Sequence, residues 1–240
     1  METPRGHQHP LTQLITEINS IFAELGFVFV EGPEAETEHY NFDQLNVPKE
    51  HPSRDMQDTF WFKTKDVSEP MVLRTHTSPV QARYMESHTP PIRIIVPGKV
   101  FRNEATDATH EAQFYQVEGL YIDKGVHLGH LKGTLEYFFS ELFGGKTEVR
   151  FRPSFFPFTE PSVEVDMKLL EGDGKLVGKW IEIMGAGMVH PNVLRSSGID
   201  PEVFSGFAFG MGIDRLGVMK YGVDDVRDFY TGDLRFINQF

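Results

Sequence analysis

Two runs of strand-like residues, "IRIIVPGKVFRNE" at 92–104 and "FYQVEGLYID" at 114–123, are separated by a short polar loop. Successive side chains of a strand face opposite sides, so residues two apart share a face. Val100, Arg102 and Glu104 therefore line one face of the first run, and Phe114, Gln116 and Glu118 one face of the second. If the loop at 105–113 turns the chain back, an antiparallel pair forms and the two polar rows lie side by side. The result is a sheet face lined with a cation, carboxylates, an amide and a ring where most strands carry valines.

The remaining runs extend this sheet. "TEVRFRPS", "VEVDMKLL" and "KWIEIMGAGMV" read as strands with "EGDGK" as a turn, and "GFAFGMG" as a glycine-spaced strand. "DTFWF" and "MVLRT" read as a hairpin, and "FVFVEGPE" as a short strand broken at Gly32-Pro33. Residues 34–58 read as a long loop with one helical turn. Apolar residues at three-four spacing predict amphipathic helices over 11–25, ended by Gly26, and over 127–143. Shorter helices are expected in "HTSPVQARYME", "PNVLRSSG" and "IDRLGVMKYG". Strands outnumber helices and no regular strand–helix–strand alternation occurs. The expected class is α+β, an antiparallel β-sheet flanked by helices, rather than a doubly wound parallel fold.

A chain of 240 residues has enough length for a substantial core, and its 21 phenylalanines predict an aromatic-rich one. No run approaches the ~20 apolar residues that span a bilayer, so no membrane role is expected. The start, "METPRGHQHP", carries no secretory signal, and a cytoplasmic address fits. Without cysteine, disulfides and thiolate metal sites are excluded. The net charge of −12 argues against gripping nucleic acid by charge alone, although a local basic pocket for one nucleotide remains compatible with it.

Neither a GxxxxGK[ST] loop nor a GxGxxG fingerprint is present, so a nucleotide would be held by other means. Guanidinium forks match phosphate oxygens in pairs. Arg102 is one candidate. Arg215 is another: Gly210 and Gly212 permit close approach of a ligand, and Arg215 opens the following helix. Taken singly, each residue has a plainer reading. Arg102 and Glu104 make an ordinary charge ladder, His110 is a solvated loop histidine, and Phe156 and Phe158 are core residues.

In combination they resemble the class II aminoacyl-tRNA synthetases, whose three signatures occur in order. These are the helix 11–25 with a strand ending at Pro33, "FRNE…F" at 101–114, and the glycine-spaced strand into "GIDRL" at 212–216. Within the class the chain is similar to the bacterial phenylalanyl-tRNA synthetase alpha subunits. The similarity runs through "HPLTQL", "EGPE", "NFDQLNVP", "HPSRDMQDTFW", "LRTHTSPVQ", "VFRNEATDATHEAQFYQVEG", "FFPFTEPS", "GAGMVHPNVL", "GFAFGMGIDRL" and "DLRFINQF", essentially residues 7–240. It implies a single class II catalytic domain over 1–240, lacking the family's N-terminal coiled-coil arm.

The resemblance implies activation of L-phenylalanine with ATP and transfer to tRNA(Phe). It also implies a beta subunit in a heterotetramer, or a homodimer if the chain stands alone. By the family pattern Arg102 meets the α-phosphate and Arg215 the γ-phosphate, with His110 helping to hold the bent triphosphate. Glu104 takes the adenine amino group and Phe114 stacks on the ring. Glu182 and Glu160 are the expected Mg²⁺-linked carboxylates, Glu160 as the direct ligand. Glu118, Gln116, Ser78, His76 and Gln81 are expected around the ammonium and carboxylate of phenylalanine. Phe156, Phe158, Thr159, Ala186, Ala208 and Gly210 are expected around its ring. Competing readings are a phenylalanine-activating paralogue that does not charge tRNA and a non-catalytic regulatory module.

Overall fold

The computed structural model describes residues 6–56, 58–63, 69–171 and 177–240. Helix α1 (Pro10–Glu24) starts where His9 accepts the Leu11 N–H on its Nδ1 and proline takes the first turn. It stops at Gly26, whose φ of +78° suits glycine. After it come β1 (Val28–Phe29), β2 (Ala35–Thr37), α2 (Glu38–Asn41), β3 (Met71–Leu73) and α3 (Ser78–Ser87). The polar-faced pair is β4 (Ile92–Phe101) and β5 (Gln113–Asp123), followed by α4 (Leu128–Phe143). Strands β6 (Thr147–Phe156), β7 (Thr159–Leu169) and β8 (Ile181–Val189) precede α5 (Pro191–Ser196). Strand β9 (Ser205–Gly212), α6 (Ile213–Tyr221) and α7 (Leu234–Ile237) complete the described chain.

One seven-stranded sheet has the order β1-β4-β5-β9-β8-β7-β6. Alternation along its strands builds two faces. Ile95, Val117, Phe207, Phe209 and Met211 pack with α1, α4 and α6 in the larger core. There Phe22 of α1 stacks on Phe138 of α4 and on Phe209, with centroids 4.6 and 5.4 Å apart, as the phenylalanine count leads one to expect. Ile92, Ile94, Val96, Leu120 and Ile122 face the other way, towards α3 and α5.

The central strands set the site. β4 and β9 both pair antiparallel with β5, so they end at the edge where β5 begins. Gly98, Gln116 and Gly212 lie in one cross-strand row. Arg102, just past β4, and Arg215, in the first turn of α6, thus emerge at one edge of the sheet.

Several expectations need correction. β4 stops at Phe101, so Arg102 and Glu104 follow the strand instead of lying in it. The cross-strand partners of Gln116 and Glu118 are Gly98 and Val96. The "FVFVEGPE" run yields only β1, paired parallel to β4. The "DTFWF"–"MVLRT" pairing forms only in part: Trp61 bridges Val72 antiparallel, with the Phe62 N–H on the Met71 carbonyl and the Leu73 N–H on the Phe60 carbonyl, while the longer ladder of β3 is with β2. The 34–58 segment holds β2, α2 and two 3-10 turns, pinned where Arg54 bridges Glu38 and Asp43. The "EGDGK" turn lies mostly outside the described residues.

Candidate active site

A cavity of about 680 Å³ opens on the face of the sheet opposite α1. Its floor comes from alternation in "GFAFGMG". Phe207, Phe209 and Met211 enter the larger core, which leaves Ala208, Gly210 and Gly212 to floor the cavity. Gly210 pairs with Glu118 on one side and Gly185 on the other. A Cβ at Gly210 would come within 3.0 Å of the Glu118 side chain and 3.1 Å of Gln116 Nε2. One at Gly185 would lie 2.7 Å from the Phe156 ring. The glycines therefore make room for side chains that reach across the sheet.

One wall is aromatic. Phe156 and Phe158, around the β6–β7 turn, stack with centroids 6.0 Å apart and planes 11° from parallel. Thr159, Ala208, Leu120 and Val189 continue an apolar slot beside them; Ala186 also touches the cavity but, as the cross-strand partner of Phe209, belongs to the larger core.

The opposite wall is polar and comes from the segment leading into α3. Ser78 Oγ donates to Glu118 Oε2, and the Thr77 N–H donates to Oε1 at 3.1 Å. Burial pushes the Glu118 carboxyl up to about 7, against the pull of these two donors. Burial and the charge of Arg102 push His76 down to about 3, so its imidazole is neutral. Among the described residues, four buried side-chain polar atoms lack a partner. Three of them, His76 Nδ1, Gln81 Nε2 and Gln116 Oε1, belong to cavity residues. Buried polar groups are normally paired, so orphans gathered at one cavity are open positions for a ligand.

The segment is held by Arg74, which the sequence reading passed over. Its guanidinium donates to the carbonyls of Lys99, Gly32 and Pro33, at 2.7, 3.1 and 3.2 Å. It fits because Gly98 has no side chain: a Cβ there would sit 2.2 Å from Arg74 Nη2. Its position, directly after a strand in "MVLRTHTSP", was the available signal. Phe155 and the roof residues Phe42, Leu45 and Val47 were also missed.

At the sheet edge Arg102 Nε donates to the Thr75 carbonyl at 3.1 Å, and its guanidinium lies 5.1 Å from the centre of the Phe114 ring. Glu104 joins the cavity lining. Arg102 and Arg215 have no carboxylate within ion-pair distance among the described residues, unlike Arg54, Arg83, Arg150, Arg152, Arg227 and Arg235. His110 is exposed on the 104–112 loop, 3.0 Å from Asp107 Oδ1, and does not line the cavity.

The expected metal pair does not come together there. Glu160 is exposed and off the cavity lining. Glu182 is bound by Arg152 at 2.7 Å, also away from the lining. The register shift between β7 and β8 pairs Glu182 with Asp166, on the side where Arg152, Glu164 and Asp166 form ion pairs. Among the described residues no group of three or more acidic or histidine side chains is placed to hold a metal ion; Glu164, Asp166 and Glu182 converge instead on the Arg152 guanidinium. Glu160 and Glu182 therefore form no joint cradle for Mg²⁺.

The profile of the tRNA synthetases class II core domain (F) matches residues 1–240. The chain is 58% identical over 240 residues to the phenylalanine–tRNA ligase alpha subunit of Alkaliphilus metalliredigens, covering 98% of this chain and 69% of that protein. It is 55% identical to the alpha subunit of Bacillus subtilis, with the same coverage. The crystal structure of pyrrolysyl-tRNA synthetase from Desulfitobacterium hafniense superposes with a TM-score of 0.70 at 18% identity, covering 92% of this chain and 73% of that one, a likeness of fold. With its sheet, its glycine-floored cavity and a profile match along its whole length, the chain belongs to the tRNA synthetases class II core domain (F) family.

Proposed function

We propose that this chain is the catalytic alpha subunit of a phenylalanine–tRNA ligase. It joins L-phenylalanine to ATP and passes the acyl group to tRNA(Phe). In the first step a carboxylate oxygen of phenylalanine bonds to the α-phosphorus, and the bond to the β-bridging oxygen breaks. Pyrophosphate leaves with that electron pair. In the second, a terminal ribose hydroxyl attacks the acyl carbon, loses its proton, and AMP departs.

One observation carries the substrate side of this reading. The orphaned polar atoms of His76, Gln81 and Gln116 surround the buried Glu118 carboxyl, beside an aromatic slot. An α-amino acid with an apolar ring supplies what both halves lack. Its ammonium pairs with Glu118 and Gln116, its carboxylate is steered by His76, Ser78 and Gln81, and its ring meets Phe156 and Phe158. A stacked or edge-on ring contact contributes ~0.5–1.5 kcal/mol beyond burial. Thr159, Ala186, Ala208 and Gly210 bound the slot.

The nucleotide lies at the sheet edge. Phe114 stacks on adenine and Glu104 accepts its amino group. Arg102 and Arg215 neutralise the triphosphate, with His110 closing from its loop. Two anions must meet for the reaction to start, so preorganised positive charge is what the site has to supply. Magnesium, as the family pattern implies, is not assigned to Glu160 and Glu182 together, and the chain's own contribution is the two guanidiniums.

A beta subunit is the proposed partner, since the relatives are named as alpha subunits. The exposed Val28 and Phe29 on edge strand β1 support association with another chain. The net charge of −12 fits a division in which most of the grip on tRNA lies elsewhere in the assembly. Among the described residues no helix is long and apolar enough to cross a membrane, and the proposed place of work is the cytoplasm.

The test is phenylalanine-dependent ATP–pyrophosphate exchange, with and without a beta subunit, and tyrosine as control. Exchange driven equally by tyrosine, or by neither amino acid, overturns the reading. A companion test concerns the slot. Ala208 sits on β9 beside Leu120 and Gly187. Ala208→Gly removes a methyl from the wall and is expected to admit para-chlorophenylalanine, raising its kcat/KM ~10-fold or more, since about one methylene of room is worth 1–3 kcal/mol. Unchanged selectivity in the exchange assay would place the para position elsewhere.

A further inference from the structure

Asp214 is a buried carboxylate, 4% exposed, with no cation within ion-pair distance among the described residues. Burying such a group is costly unless hydrogen bonds offset the lost hydration, and here two donors do so. Three elements meet on it. It opens α6, whose N-cap Gly212 has no side chain to cap with because it lies on the cavity side. Its Oδ2 accepts the Tyr115 N–H of β5 at 2.7 Å, and its Oδ1 accepts the Tyr230 hydroxyl. The neighbours of these contacts are the nucleotide residues: Phe114 precedes Tyr115, and Arg215 follows Asp214.

The segment that delivers Tyr230 does a second job. Its 3-10 turn, Val226–Phe229, places the Val226 N–H on the Ala108 carbonyl at 3.0 Å. Ala108 lies in the loop that carries His110. The turn is itself fixed: Val226 and Phe229 are buried, and the Phe229 carbonyl accepts from His9 Nε2 at 2.9 Å. Because His9 Nδ1 accepts from Leu11, Nε2 carries the proton, which makes that second bond consistent.

We propose that Asp214 and Tyr230 are positioning residues for the nucleotide half of the site. One carboxylate fixes the stacking strand against the helix that carries Arg215, and the segment beyond α6 holds the phosphate-side loop in register with both. The phenylalanine half is held separately: Glu118 is tied to Ser78 and Thr77, and among the described residues neither Asp214 nor Tyr230 has a hydrogen bond to the side chains proposed to hold phenylalanine, although Gln116 follows Tyr115 on the same strand. The inference rests on the functional reading above.

The test uses Tyr230→Phe and Asp214→Asn in the alpha–beta enzyme. Tyr230→Phe removes only the hydroxyl and is expected to raise KM for ATP ~10-fold, because small misplacements of charged groups are amplified in rate. KM for phenylalanine is expected to stay within about twofold, since the bonds of Asp214 and Tyr230 go to the Tyr115 amide and to each other and not to the side chains proposed to hold phenylalanine. Asp214→Asn is expected to follow the same split with a larger effect on ATP. A parallel rise for both substrates, or no rise for either, overturns the proposal, because a merely structural role would not separate them. Amide hydrogen exchange on the chain gives a readout independent of turnover. Tyr230→Phe is expected to speed exchange in 104–112 and 213–216 and leave 76–81 unchanged. Uniform acceleration overturns it as well. A parent without phenylalanine-dependent exchange but with this amide pattern would sink the functional reading and leave the latch standing.

Discussion

Arg102→Ala is expected to slow phenylalanine-dependent pyrophosphate exchange by ~10²–10³-fold, a loss of ~3–4 kcal/mol, as removal of one preorganised transition-state contact does in other sites. Among the described residues one nitrogen of this guanidinium is bonded, Nε to the Thr75 carbonyl. Its terminal nitrogens have no hydrogen bond from the described residues, and Phe114 flanks its face. A cation kept without a counter-ion beside a ring is ready for a phosphate. Because no carboxylate lies within ion-pair distance of it among the described residues, its removal is expected to shift the thermal midpoint by only a few degrees. Arg102→Lys keeps the charge but not the fork and is expected to fall between parent and alanine variant. Pyrophosphate exchange by the alanine variant within threefold of the parent would remove Arg102 from the mechanism.

Much of this site was legible because strand alternation is a local property. "GFAFGMG" gives its two faces directly: large residues enter the core and small ones floor the cavity. The row Phe114, Gln116, Glu118 falls on one face for the same reason. What failed depended on chain ends and long-range choice. Arg102 and Glu104 lie past the end of β4, and alternation cannot say where a ladder stops. The β3 partner is β2, some 35 residues upstream, because Arg74 binds the Gly32 and Pro33 carbonyls and Thr75 meets Asn41. Those bonds are invisible to a window of neighbours. Glu182 is taken up by Arg152, next to the register shift between Val165 and Asp166, a pairing that no local pattern gives. Asp214 and Tyr230 were missed since a buried carboxylate pinned by a tyrosine 16 residues away has no sequence pattern.

Affinity for phenylalanine is expected to rise with pH between about 6 and 8, and Glu118 gives the sign. Burial holds its carboxyl at about 7 in the free protein. Only the ionised form pairs with an ammonium, so below 7 each unit of pH costs binding up to ~10-fold, and above it the affinity levels off. His76, held near 3, stays neutral throughout and does not add to the slope. The same shift acts on stability. A carboxyl raised above its unfolded value stabilises the fold at low pH, and this contribution is lost as pH climbs through about 7. Asp214, pushed up to about 6 by burial, acts in the same direction but does not line the cavity. The thermal shift produced by added phenylalanine therefore isolates Glu118, and it is expected to grow from pH 6 to pH 8. Glu118→Gln keeps one oxygen for the Thr77 N–H and turns its NH2 to the Ser78 hydroxyl, which can accept, but it cannot neutralise the ammonium. It is expected to raise KM for phenylalanine by ~30–1000-fold at pH 8, the ~2–4 kcal/mol typical of losing one member of a buried charge pair. Near pH 6 the parent is itself mostly protonated, so the gap between parent and variant narrows. Flat pH dependence in the parent, or a gap that is as wide at pH 6 as at pH 8, would show that the ammonium is bound by something other than this carboxylate.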